Sequence, residues 1–172
     1  MLEQRRDELR SAYLRLGTGE LAAAGVFATA ALTVVAPRLA APRDQAALWS
    51  ALVPLLLVLV QAGTYWLLAR TWVGRAPMPA AVAVTYRALR ALTAGALAAG
   101  LIGVVVWWPR DVTVMLLVAG VWGFAAAEYV NYYVVRLAYP VRQLPAAVRQ
   151  PSTPRLVQDL RSARPLGRAV RR

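Results

Sequence analysis

Along the chain, hydrophobic positions gather into four long stretches, residues 19–36, 46–70, 88–108 and 112–138, with charged residues at their ends. Each is long enough to cross a membrane, since about 20 residues at 1.5 Å rise traverse a hydrocarbon core of about 30 Å. The stretches are joined by short connections. Pro37 and Arg38 end the first, and a polar loop from Trp72 to Pro79 follows the second. This pattern predicts an all-α integral membrane protein. The expected architecture is an antiparallel four-helix transmembrane bundle over residues 19–140, with an N-terminal interfacial amphipathic helix over residues 1–18 and a basic C-terminal tail, residues 141–172.

Finer periodicities add expectations about packing. Leu2, Leu9, Tyr13 and Leu16 recur at helical spacing within the charged N-terminal run, which marks one apolar face, and Asp7 and Arg10 stand at i, i+3 as a candidate pair. The third stretch carries Ala91, Gly95, Ala99 and Gly103 at intervals of four, and the fourth carries Ala119, Gly123 and Ala127. Small residues on one face let helix backbones approach closely, so the third and fourth helices are expected to pack through these faces. Small positions in excess of one partner per helix point to a homo-oligomer or another membrane protein as a further partner. Pro54 is expected to kink the second helix.

Charge sets the expected orientation. The N-terminus, the 70–90 segment and everything from residue 136 onward hold 17 of the 20 arginines, against 3 in the two opposite connections. By the excess of positive charge on cytoplasmic loops, both termini are cytoplasmic, and Trp49, Trp107 and Trp108 fall at the outer interface. The expected address is the cytoplasmic (inner) membrane of a bacterium. The net charge of +12 would suggest nucleic acid in a water-soluble chain, but its placement here points to the anionic leaflet instead.

Composition removes several chemistries. There is no cysteine, histidine or lysine, so thiolate metal sites, thiol nucleophiles, imidazole bases, Schiff-base lysines and the lysine of a phosphate-binding loop are excluded. Reliance on Arg, Ala, Val and Leu fits a genome rich in G and C. No metal and no cofactor are expected, and the balance is against an enzyme.

Candidate chemistry concentrates in the last third of the fourth stretch, which reads Glu128-Tyr129-Val130-Asn131-Tyr132-Tyr133-Val134-Val135-Arg136. If the helix enters the membrane near Val112, Glu128 lies about 24 Å along it, about 6 Å short of the far interface. A carboxylate there costs a few kcal/mol, on the order of 2.5 to 3.5 at the membrane centre and less near its edge, so it needs protein or water beside it. The same depth rule puts Glu20, Gln61, Tyr65, Arg90, Asn131 and Tyr132 at this level. Glu128, Asn131, Tyr132 and Tyr139 share one helical face. Two readings follow. In one, Glu128 pairs with Arg90 while Gln61 and Asn131 link helices and fix their register. In the other, these residues line a pocket open to the cytoplasm, with Glu128 as a proton or cation site, in a small transporter or a lipid- or amphiphile-binding protein. The apolar outer two thirds favour the first.

Residues 141–172 hold eight arginines, one acid and four prolines. Thr153 and Pro154 are suited to cap and start a helix whose apolar face is Leu156, Val157 and Leu160. With Arg155, Arg161, Arg164, Arg168, Arg171 and Arg172, it reads as an anchor lying on anionic phospholipid, at about 1 kcal/mol for each arginine near the surface. The leading expectation is therefore a non-enzymatic structural or accessory subunit. Its basic tail would engage anionic lipid or a cytosolic partner.

Overall fold

The structure, a computed structural model, describes residues 2–135 and 153–163. The described residues form helices and connections, in the order α1 (Leu2–Ala30), α2 (Pro42–Trp72), α3 (Ala80–Val106), α4 (Val112–Tyr133) and a short α5 (Arg155–Ser162). Four of these helices are long and apolar enough to cross a membrane. Helix α1 is unbroken across residue 18, so the charged N-terminal run and the first apolar stretch are one rod, continued by a π-helical turn at Ala31–Val35 and a 3-10 turn at Ala36–Arg38. The Pro37 ring is incompatible with a helix interior and coincides with its end. Gln45 Nε2 then donates to the Leu39 carbonyl at 2.9 Å and closes the corner into α2. At the start of α4, the Asp111 carboxylate accepts from the amides of Thr113 and Val114 at 2.8 and 3.1 Å, satisfying two donors that the first turn leaves open.

Helix α2 is the core. Its side chains supply the largest share of the buried residues, and α1, α3 and α4 each pack along it. Contacts step in opposite directions between neighbours. Tyr13 meets Trp66 while Ala24 packs with Leu55 and Leu59; Tyr86 meets Tyr65 while Val104 packs with Leu48. Helix α4 runs with α2, from Val118 beside Ala47 to Tyr133 beside Gln61.

Two crossings bring backbones together. A Cβ added at Gly17 would stand 2.9 Å from the Gly63 carbonyl, and one at Gly63 would stand 3.0 Å from the Gly17 carbonyl, so α1 and α2 touch main chain to main chain. On the other side, a Cβ at Gly100 would sit 2.5 Å from the Ser50 carbonyl. That carbonyl has lost its helical donor because Pro54, four residues on, has no N–H. The missing hydrogen bond and the glycine face each other. Backbone of α3 occupies the space beside the orphaned oxygen.

The expected pairing of α3 and α4 through small faces does not form. Ala91, Gly95 and Ala99 are exposed, Gly103 lies against Ser50 of α2, and Ala119, Gly123 and Ala127 are exposed. The buried face of α3 is instead Thr93, Leu97, Gly100 and Val104, one or two residues out of phase with the small one. Packing on α2 decides the face: Thr93, Leu97 and Val104 fill space beside it, and Gly100 lets the two backbones meet at Ser50. Asp7 and Arg10 form no ion pair either; among the described residues the ion pair is Arg155 with Asp159.

Replacing Gly100 by Ala should therefore lower the melting temperature of the purified protein by an amount equivalent to about 1–3 kcal/mol of overpacking. Gly95→Ala, which meets open space, should leave it unchanged or slightly raised. Wild-type melting of Gly100→Ala, measured by thermal denaturation in a neutral detergent, would contradict the close approach.

Candidate functional site

The polar residues collect at the end of the helices that carries the α1 N-terminus, and they divide into three groups. The first is a buried link between α2, α3 and α4. Gln61 and Thr93 are hydrogen-bonded side chain to side chain, the amide Nε2 donating to Thr93 Oγ1 at 2.7 Å, and Tyr133 donates to Gln61 Oε1 at 3.0 Å. Tyr86 donates to the Gln61 backbone carbonyl at 3.3 Å. A buried amide left unmatched would cost about 1–3 kcal/mol, so this set holds three helices in one register. The Arg90 guanidinium lies 6.0 Å from the Tyr133 ring centroid, a cation–π contact at the margin of the link.

The second group surrounds a cleft of about 540 Å³ between α1 and α4. Glu20, Glu128, Asn131 and Tyr132 supply its polar atoms; Leu9, Tyr13, Leu16 and Trp66 supply apolar and aromatic surface, and Pro154, Arg155 and Leu156 of α5 complete it. Helical geometry puts Glu128, Asn131 and Tyr132 together, since offsets of three and four share a face. Tyr132 donates to Glu20 Oε1, tying α4 to α1, and also receives the Trp66 indole N–H at 3.4 Å. Glu128 is hydrogen-bonded to Asn131. The cleft thus holds two carboxylates whose described partners are a phenol and an amide. Among the described residues that line it the cation is Arg155, which is engaged by Asp159 at 3.2 Å.

The third group is the seat of α5. Asp159 is 6 % exposed, and its Oδ2 accepts from the Tyr65 hydroxyl at 2.8 Å and the Trp72 indole at 3.2 Å, while Oδ1 meets Arg155. Leu156, Val157 and Leu160 are buried against the helices. The apolar face that suggested a lipid-lying anchor is therefore occupied by protein. Thr153 does not cap α5: the helix starts at Arg155, with Pro154 as its N-cap and no side-chain bond. Arg87 Nη2 donates to the Leu160 carbonyl at 3.0 Å, filling an acceptor that the last turn leaves open.

Of the residues singled out from sequence, Glu20, Glu128, Asn131 and Tyr132 meet at the cleft. Gln61 lies in the helix link and Tyr65 under α5. Arg90 lines a separate cavity, so the Glu128–Arg90 ion pair does not form. The reason is facing: Arg87 and Arg90 of α3 turn to α5, while Glu128 turns to α1. Arg136, Tyr139, Arg164, Arg168, Arg171 and Arg172 lie outside the described residues. Sequence reasoning missed Asp159, Trp72, Thr93 and Tyr133. Asp159 had a readable signal, being the one acid of the tail and standing next to Leu160 on its apolar face.

Among the described residues no group of three acidic side chains is placed to hold a metal ion. No protein-family model, curated protein or solved structure gives a match to this chain.

With Glu128 and Arg90 apart, their charges act independently. In a double-mutant cycle of Glu128→Gln and Arg90→Gln, the changes in melting free energy should add to within about 0.5 kcal/mol, as for sites without shared partners. A coupling of 1 kcal/mol or more, on the scale of contacting charges, would contradict this placement.

Proposed function

We propose that this chain is a multi-pass membrane protein that binds an amphiphile carrying a cationic headgroup in the cleft between α1 and α4. The membrane setting is supported by the large apolar side chains that point away from the core, among them Val26 at 67 % exposure, Ile102 at 64 % and Leu116 at 64 %, and by Trp107 and Trp108 exposed beyond the end of α3. Such a surface is stable in hydrocarbon, not in water. In that setting the arginine excess puts both termini, and the cleft with them, on the cytoplasmic side.

The observation that carries the ligand class is the pair of carboxylates, Glu20 and Glu128, in one cleft whose described guanidinium is already engaged. Two acids sharing a partly dry site repel each other, and a bound cation relieves that cost. Trp66, Tyr13 and Tyr132 add aromatic surface, and a ring face toward an ammonium group is worth about 0.5–2 kcal/mol. The exposed Leu9 and Leu16 at the rim suit an acyl or alkyl chain. The volume lies in the range of small-molecule sites, about 300–1,000 Å³.

The accessory-subunit reading rests on a tail free to engage lipid or a cytosolic partner. The described part of that tail is packed against the helices, which favours the cleft as the functional feature. No second reading is carried by a comparable observation.

The test is a titration of the detergent-solubilised protein with octyltrimethylammonium, read as a saturable rise in melting temperature. Glu20→Gln together with Glu128→Gln should weaken the apparent affinity at least about tenfold, the loss expected when roughly 1.4 kcal/mol of charge attraction is removed. A neutral octyl glycoside should give no saturable rise. An equal response of wild type and the double variant to octyltrimethylammonium would overturn the reading.

A further inference from the structure

On the other side of α5 lies a cavity of about 420 Å³ with the opposite charge. It is lined by Arg87 and Arg90 of α3 and by Val157, Leu160 and Arg161 of α5, and among the described residues no carboxylate lines it. The packing of α5 beside α3 brings three arginines to one cavity. Arg87 and Arg90 stand at i, i+3 on one helix, an arrangement that is repulsive unless an anion lies between them. Arg87 donates to the Leu160 carbonyl and Arg90 lies by the Tyr133 ring, so two of the three stems are anchored. All three arginines are exposed and keep N–H donors available to a ligand. Asp159, the acid nearest in sequence, is engaged with Tyr65, Trp72 and Arg155.

We propose that this cavity binds the phosphodiester of an anionic phospholipid headgroup through Arg87, Arg90 and Arg161, with Val157 and Leu160 against its glycerol or upper acyl carbons. Arginine forks match phosphate oxygens with parallel N–H donors, the geometry that makes such bonds both strong and selective. The level in the molecule also fits. Arg90 lies one helical turn beyond Thr93, at the end of the helices where the apolar surface gives way to charged residues, and headgroup phosphates lie at such a boundary. Because the site is shared by α3 and α5, an occupied cavity holds α5 down, and α5 in turn closes the cleft that contains Glu20 and Glu128. The site rests on the membrane setting proposed above but not on what the cleft binds.

The purified full chain in maltoside micelles is titrated with dihexanoyl phosphatidylglycerol, and melting temperature is followed. Dihexanoyl phosphatidylcholine and inorganic phosphate form separate arms. The expected result is saturable stabilisation by phosphatidylglycerol, with an apparent affinity about tenfold or more weaker in Arg90→Gln/Arg161→Gln, since two charge-assisted contacts are removed. Arg161→Gln alone, at an exposed position, should give a several-fold loss and serves if the double variant does not fold. Glu20→Gln/Glu128→Gln should respond to phosphatidylglycerol as wild type does, which separates this site from the cleft. An undiminished response of the arginine variants would overturn the proposal. So would stabilisation by phosphatidylcholine equal to that by phosphatidylglycerol, and stabilisation by inorganic phosphate with no further gain from the lipid would overturn the lipid as its ligand.

Discussion

The arrangement of the charged end depends on one buried carboxylate. Asp159 sits in a place where an unpaired charge would cost several kcal/mol, and it is retained because Tyr65, Trp72 and Arg155 supply a hydroxyl, an indole N–H and a guanidinium. Hydrogen bonds to a charged group are worth about 1.5–3 kcal/mol each, so this set is the strongest polar attachment that α5 makes. Helix α5 has eight residues, too few to be helical alone in water. Its helicity and its docking are therefore one event. Docking completes both cavities, since α5 contributes Arg155 and Leu156 to one and Val157, Leu160 and Arg161 to the other.

Beneath that end, α2 sets the register. Glycine contacts at Gly17/Gly63 and Gly100/Ser50 fix how far each neighbour can slide, and the Gln61 link locks the same register with hydrogen bonds. The consequence is polar asymmetry. Among the described residues the buried clusters beyond Thr93 are built mainly of Leu, Val and Ala, so the polar side-chain clusters lie at one end.

Much of this was legible in the chain. The four apolar stretches were readable because length and absence of charge are local properties, and Asp111, Pro37 and Pro79 stand at helix ends where backbone chemistry puts them. The common face of Glu128, Asn131 and Tyr132 was readable for the same reason: helical spacing is local. What the chain did not disclose was which face of each helix turns to which neighbour. The Ala91–Gly103 row had the right spacing for close packing, yet Thr93, Leu97, Gly100 and Val104 are the residues buried. Glu128 and Arg90 share a level but face opposite sides of α4 and α3. Leu156, Val157 and Leu160 suited a lipid surface and a protein groove equally well. The discriminating residue was Asp159, because an acid beside an apolar face is tolerable in a groove with donors and unfavourable against lipid.

The most direct test of the account is therefore proteolysis of Asp159→Ala. The wild-type protein in neutral detergent should resist trypsin at Arg155 and Arg161 because α5 is docked. Asp159→Ala leaves the Tyr65 hydroxyl and the Trp72 N–H without their acceptor, at about 1–3 kcal/mol each, which is enough to release a helix of this length. Cleavage at both arginines should then accelerate by about tenfold or more, with the four long helices still protected. Cleavage of the variant at the wild-type rate would contradict the claim that this carboxylate holds the tail helix in place.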